Sequence, residues 1–510
     1  MTWTGDYSQC HNCKEVYPFA ITECPCCHSS CSTYIVQASN GFPGSKRFEL
    51  LGEQKQVLTL PPRGAALIKG GAGSGKTLVA VKRAEYLTNN YSDMFQRANV
   101  AIFAYNKELV HEIENLVSDR SVKIFNIDAW VYGLLRNNGA RLSLLKESEL
   151  RAFRVQAKQQ AFAEIPTRAI ANKSDDFYDS EIKWLKGRRI NTLDQYKSTK
   201  RTGRGTEDRV TVADREYLWR MHEGYNRLLQ RQGIRDWEDR VKDALAIVEK
   251  PGFRPPYTHI VIDEAQDFSF AKIALVRHLV SPQTESITIV ADSAQQIYQS
   301  GFSWSDLGIK VVGRSVEFKR NYRNTRQISE AAYSLIAHEK DDADFTRMET
   351  AVQEGSKPLV VEGDDIWNEQ VLLTALKSFP QTEDAVLAVP TRKIFPRMEE
   401  ILQGAGIKIT KSASEAKTSG SVRLSTFHAL KGLQFMHVFL WGVTDKHFPT
   451  ANVDPEEVSK SRKLLYVAMT RATQKLTIFT TLQPAQMITE IDPTKVNFKI
   501  MSKEQSGRFA

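Results

Sequence analysis

Gly70-Gly71-Ala72-Gly73-Ser74-Gly75-Lys76-Thr77 carries the clearest chemical signal in the chain. It fits the spacing G-x-x-x-x-G-K-[ST], in which glycines let backbone N–H groups turn inward around a phosphate. Lys76 is placed to reach β- and γ-phosphates, and Thr77 to hold Mg²⁺. A second signal is Asp263-Glu264-Ala265-Gln266-Asp267. Behind a phosphate loop, Asp263 would share Mg²⁺ with Thr77, while Glu264 would orient and deprotonate an attacking water. Together the two stretches predict ATP hydrolysis. Gln295, in Asp292-Ser293-Ala294-Gln295, stands where it can sense a γ-phosphate. Gln54 can read adenine by its amide edge or can simply be solvated.

All six cysteines fall between Cys10 and Cys31. Cys10-x-x-Cys13 and Cys24-x-x-Cys27 form two pairs at zinc-ribbon spacing, so these four thiolates are the expected Zn²⁺ ligands. Cys26, Cys31, His11 and His28 leave the ligand choice open, and a short arm with free thiols is the alternative. A segment this short buries no core of its own, so metal would supply its folding energy. The clustering argues against a disulfide scaffold and for a reducing, cytoplasmic compartment.

The elements that must position these groups are legible as well. Ala65–Lys69 is apolar enough for a buried strand, and Leu78–Leu87 has helical spacing. The phosphate loop thus sits in the strand, loop, helix context it requires, with a helix N-terminus facing the phosphate. Strands are expected at Val100–Tyr105, Val122–Ile127, His259–Ile262 and Ile287–Ala291. Helices between them predict a parallel sheet. Residues 136–250 change to helical and polar and include a basic run with Lys183, Lys186, Arg188, Arg189, Lys197 and Arg201. A flexible basic segment suits phosphate-backbone contact; a solvated helix-loop surface is the other reading. Phe302 and Trp304 can stack on bases or pack in a core. Further strands are expected at Pro358–Val361, Ala385–Val389, His437–Leu440 and Lys475–Phe479, with helices at Trp367–Phe379 and Phe395–Gly404. The tail after Pro484 shows little pattern.

With these residues in view, the chain resembles the UvrD/Rep/PcrA-like helicases of superfamily 1 over roughly residues 48–480. Leu51–Gln54 is similar to the adenine-reading motif. Gly70–Thr77, Asp263–Asp267 and Asp292–Tyr298 are similar to motifs I, II and III. Asn321-Tyr322-Arg323-Asn324-Thr325 is similar to motif IV, which implies that Tyr322 stacks on adenine and Arg323 touches the γ-phosphate. Val422–Phe435 looks like motif V, and Leu464–Ala472 looks like motif VI, which makes Arg471 the arginine finger. The resemblance implies nucleic-acid contacts at Tyr105, Asn106, Thr426 and His428, and a ribose contact at Gln434. It also implies 3′→5′ movement on single-stranded DNA, driven by closure of a cleft between two domains. Ala104 stands where motif Ia has an aromatic, Asn126-Ile127-Asp128 stands where motif Ib has Thr-Phe-His, and Gln434 replaces a glutamate. Only 102 residues separate Arg323 from Thr426, too few for the family's large second-domain insert.

The expected architecture is therefore α/β, with two RecA-like parallel-sheet domains and a small N-terminal zinc ribbon. Its parts are a ribbon over 1–40, a first domain over 41–135 and 251–313, a helical insert over 136–250, a second domain over 314–484 and a tail over 485–510. Hydrophobic content of 41% and charged content of 25% are ordinary for a folded domain, which excludes a disordered chain. No run of 18 apolar residues predicts a membrane span, and the N-terminus shows no secretory pattern. A net charge of +9 allows a polyanionic partner. Two functions remain on the residues: a DNA-stimulated ATPase that unwinds duplex, or a nucleotide-switched sensor that recruits a partner such as a nuclease. RNA as the strand is disfavoured by the resemblance alone.

Overall fold

The computed structural model describes residues 50, 52–71, 73–91, 98–140, 147–164, 170, 173, 175–199, 201, 210–292, 304–337, 351, 353–378, 384–410, 421–430, 433–448 and 455–501. It also gives the backbone of 6–10, 16–17 and 31–35. The chain divides into two compact units: 1–69 with 76–317, and 70–75 with 318–510.

At the N-terminus, β1 (Asp6–Cys10) pairs antiparallel with β2 (Val16–Tyr17) and β3 (Cys31–Ile35). The register sets Cys10 opposite Cys31. Cys13, Cys24 and Cys27 lie outside the described residues.

The first unit is built on six strands in the order β6-β5-β7-β8-β4-β9. They are β4 (Ala65–Gly70), β5 (Val100–Ala104), β6 (Lys123–Asn126), β7 (His259–Ile262), β8 (Ser286–Asp292) and β9 (Ser315–Phe318). The pairs β5–β6, β5–β7 and β7–β8 are parallel. Every residue of β5, β7 and β8 is buried, because helices cover both faces; hence the continuous apolar runs in place of alternation. Helix α1 (Lys76–Asn90) packs on one face. Helices α2 (Lys107–Leu116) and α3 (Ile127–Asn137) follow β5 and β6, each N-capped by an asparagine, Asn106 and Asn126. These caps satisfy otherwise orphaned first-turn N–H groups.

The insert has its own core. Helices α4 (Glu147–Glu164), α5 (Asp175–Gly187), α6 (Leu193–Ser198) and α7 (Val212–Arg231) bury Leu150, Leu185, Tyr196, Tyr217 and Leu229 together. Helix α8 (Trp237–Val248), expected with the insert, instead sends Val241, Ala244 and Leu245 into the main core with α3 and α9 (Phe270–Leu279).

The second unit carries seven strands in the order β12-β13-β11-β14-β15-β10-β16, all paired in parallel. They are β10 (Leu359–Glu362), β11 (Ala385–Val389), β12 (Lys408–Thr410), β13 (Ser421–Thr426), β14 (Phe435–Leu440), β15 (Ala472–Thr480) and β16 (Asn497–Ile500). Alternate residues feed opposite faces. Val386, Val438 and Ile478 pack under the Arg326–Ile336 and Pro455–Met469 helices. Leu387, Phe439 and Phe479 pack under Asp365–Lys377 and Phe395–Gly404. The tail differs from expectation: β16 pairs with β10 and extends the sheet. Its four residues are exposed, so it lacks the apolar run that marks a buried strand.

Candidate nucleotide-binding site and nucleic-acid contacts

The phosphate loop is shaped by its glycines. Gly73 (φ +82°) and Gly75 (φ +81°) adopt left-handed backbone, which other L-residues avoid. A side-chain carbon on Gly73 would also collide with Asn321 Oδ1. Ser74 is buried, and its hydroxyl donates to Gly71 O at 2.9 Å. Ala72 lies outside the described residues.

Lys76 and Thr77 open α1. Lys76 is 7% exposed, and its Nζ lies 3.5 Å from Asp292 Oδ2 at the end of β8. Strand order explains this meeting, since β8 is the neighbour of β4. Asp263 ends up at the C-terminal edge of β7, fully buried, where it receives a hydrogen bond from the Thr77 hydroxyl. Burial, then the adjacent Glu264 charge, pushes its carboxyl up to about 7. Its Oδ1 accepts the Glu264 N–H at 3.0 Å, while Oδ2 is buried with no hydrogen-bond donor. The open Oδ2, on a carboxyl that also has Thr77 as a partner, fits a hard cation, which takes oxygen ligands and would lower that pKa.

Glu264 sits at φ +49°, ψ +45°, a left-handed conformation that is uncommon for this residue type and tends to occur at functional sites. Gln266, which the sequence reading passed over, holds it: Gln266 Nε2 donates to Glu264 Oε2 and Gln266 Oε1 accepts from Asp292 N at 3.0 Å. One buried amide thus ties the ends of β7 and β8 together. Arg83 is a second omission. It is fully buried in α1 and donates to Leu58 O (3.4 Å) and Pro61 O (2.8 Å). It anchors the 3₁₀ helix Gly52–Thr59, where Gln54 is 3% exposed and so not solvated. Gln295 lies outside the described residues.

In the second unit, Tyr322 N donates to Gly73 O at 2.9 Å, which sets the expected adenine-stacking residue beside the phosphate loop. Arg323 is half-buried, with its N–H on Asn321 Oδ1 at 2.9 Å. Arg471 is 4% exposed and so lies beneath the surface. Its Nε donates to Val467 O (2.9 Å) and its Nη1 to Leu433 O (3.4 Å). Gln434 is exposed.

This geometry meets two family models: the UvrD/REP helicase N-terminal domain over residues 50–306, and the UvrD-like helicase C-terminal domain over 373–483. The chain belongs to the UvrD/REP helicase family. It is 22% identical over 463 residues to a protein described as a probable DNA helicase from Mycoplasma pneumoniae, a match covering 83% of this chain and 82% of that one. It is 23% identical over 297 residues to the ATP-dependent DNA helicase PcrA of Staphylococcus aureus, covering 54% of this chain and 38% of PcrA. A solved C-terminal domain of a possible DNA helicase from Lactobacillus plantarum WCFS1 covers 35% of this chain and 98% of its own, at 16% identity and a TM-score of 0.28.

The residues expected at nucleic acid in this UvrD/REP chain differ in their surroundings. Tyr105 is 41% exposed at the end of β5, with Lys272 Nζ 5.1 Å from its ring. The residue is exposed, but desolvation of the hydroxyl, then the charges of Asp267, Asp128 and Glu238, raises its pKa. Asn106 spends its side-chain oxygen on the α2 cap, accepting from Leu109 N at 2.7 Å. Trp304 packs against the first unit's core, which favours the packing reading; Phe302 lies outside the described residues. Thr426 ends β13 and accepts from Ala429 N at 3.4 Å, and His428 is exposed beside it. The basic run is helical over α5 and α6 and largely ion-paired. Arg188 approaches Asp306 at 3.5 Å, Arg189 grips Glu249 at 2.9 Å, and Lys186 reaches Asp236 at 2.6 Å and Asp239 at 3.0 Å. Within residues 183–199, these three cations thus each have an acidic partner.

Proposed function

We propose that the protein is an ATP-dependent DNA helicase or translocase, moving 3′→5′ on single-stranded DNA with DNA-stimulated ATP hydrolysis. The observation that carries the reading is the buried Asp263 carboxylate, hydrogen-bonded to Thr77 and holding an unmatched acceptor oxygen behind a phosphate loop. Thr77 and Asp263 would hold Mg²⁺, which neutralises charge on the β- and γ-phosphate oxygens when bound. Lys76 exchanges Asp292 for those oxygens. Glu264, released from Gln266, orients the attacking water and takes its proton. Gln54 and Tyr322 hold adenine, Gln295 senses the γ-phosphate, and Arg323 and Arg471 stabilise charge that develops there. Tyr105, Thr426 and His428 contact the strand, with Arg188 and Arg189 as backbone contacts.

The N-terminal cysteines, Cys10, Cys13, Cys24 and Cys27, form a Zn²⁺ ribbon in this reading, and the protein works in the cytoplasm. Among the described residues, no helix is long and apolar enough to cross a membrane. A nuclease or other partner is a candidate companion. The short stretch between Arg323 and Thr426 favours a second reading, a nucleotide-switched recruitment ATPase with little unwinding of its own. Strand displacement on 3′-tailed and 5′-tailed duplexes separates the two. Unwinding of the 3′-tailed DNA by the isolated chain supports the helicase; ATP hydrolysis without displacement supports the switch. Stimulation by RNA but not DNA would contradict both.

A further inference from the structure

Asn321 and Asn324 form a buried amide pair at 2% and 0% exposure. Asn321 Oδ1 accepts the backbone N–H groups of Arg323 (2.9 Å) and Asn324 (3.0 Å), and its Nδ2 donates to Asn324 Oδ1 (2.9 Å). Asn324 Nδ2 then donates to Thr470 O (3.0 Å) and Ala472 O (2.5 Å), the carbonyls on either side of Arg471. Asn324 therefore uses both amide hydrogens and its oxygen, the full satisfaction that buried polar networks require. At its other end the pair meets the phosphate loop. Asn321 Oδ1 occupies the space a side chain on Gly73 would need, and Tyr322, between Asn321 and Arg323, donates its N–H to Gly73 O.

We propose that Asn321 and Asn324 are positioning residues that register Arg323 and Arg471 on one frame keyed to the phosphate loop. The inference rests on the ATPase reading above. Arg471 is held at several points: its flanking carbonyls by Asn324, its own carbonyl by Phe435 N at 3.0 Å, and its guanidinium by Val467 and Leu433 oxygens. A side chain pinned at that many points has one backbone path, and a displacement of about 1 Å in a charge-stabilising group costs on the order of 100-fold in rate. Neither asparagine need touch nucleotide, so nucleotide affinity is not what the pair sets. Asn324→Asp replaces the two N–H donors with a carboxylate facing two carbonyls, whereas Asn324→Ser keeps one donor.

The test is steady-state DNA-stimulated ATP hydrolysis by the full chain carrying Asn324→Ala, alone and with Arg471→Ala, beside binding of a fluorescent ATP analogue. The expected result is kcat lower by about 10- to 100-fold with KM and analogue affinity within about threefold, a transition-state loss. On Arg471→Ala, Asn324→Ala should cost less than about twofold more, since residues acting as a unit are non-additive. Full multiplication of the two effects, or kcat within twofold of the parent for Asn324→Ala alone, overturns the inference. If Asn324→Ala does not fold, Asn324→Ser and Asn321→Ser are read by the same criteria. A parent chain with no DNA-stimulated hydrolysis overturns the ATPase reading itself, a result distinct from an active parent indifferent to Asn324.

Discussion

Asp263 and Glu264 show what adjacency and burial do to two carboxylates. Asp263 is raised to about 7 from about 3.9 in an unfolded chain. A raised carboxyl favours the folded state fully below the unfolded pKa, and that contribution is lost as pH rises through about 7. Asp263→Asn removes the charge, so it should raise the thermal midpoint of the metal-free protein at pH 8, with the gain vanishing toward pH 4. Calorimetry across that window checks it; a lower midpoint at pH 8 would contradict it. Because Mg²⁺ and the proton compete for the same oxygens, the Mg²⁺ concentration for half-maximal hydrolysis should fall between pH 6 and 8. Glu264→Gln should keep ATP binding and lose turnover by about 10²- to 10⁴-fold, the usual span for a general base. At this scale the phosphate loop and the acidic pair were readable because their types and spacing are themselves the chemistry. Gln266, Arg83 and Asn324 were not, because each also needs a partner 22 to 148 positions away.

Strands β5, β7, β8 and β11 were legible because burial on both faces leaves an apolar run with few alternatives. Strand β16 was not, since an exposed edge strand reads as tail. The basic run shows the opposite limit: sequence reveals the charges, but their neutralisation comes from helices elsewhere in the chain. Lys186 is nearly buried between Asp236 and Asp239. Lys186→Ala should therefore destabilise the first unit by about 3–5 kcal/mol, the cost of stranding buried charge. Urea unfolding followed at the tryptophans of the insert reads this, and a loss below about 1 kcal/mol would show that the pair is solvated. Arg188→Glu with Arg189→Glu tests the other reading. If these arginines leave Asp306 and Glu249 for phosphate, the salt dependence of DNA binding flattens by about two charges. An unchanged slope assigns them to the fold.

At the scale of the whole molecule, the proposed function assigns phosphoryl-transfer groups to each of the two parallel-sheet units. The first holds Lys76, Thr77, Asp263 and Glu264, and the second holds Tyr322, Arg323 and Arg471. The match covers 38% of the length of PcrA and 82% of that of the mycoplasma protein. The central claim is that these groups make one DNA-responsive ATPase. ATP hydrolysis by the full chain, with and without single-stranded DNA, beside Lys76→Ala, tests it most directly. The account predicts stimulation by DNA in the parent and hydrolysis at background in Lys76→Ala under both conditions. Hydrolysis that DNA does not raise, or that survives Lys76→Ala, would contradict it.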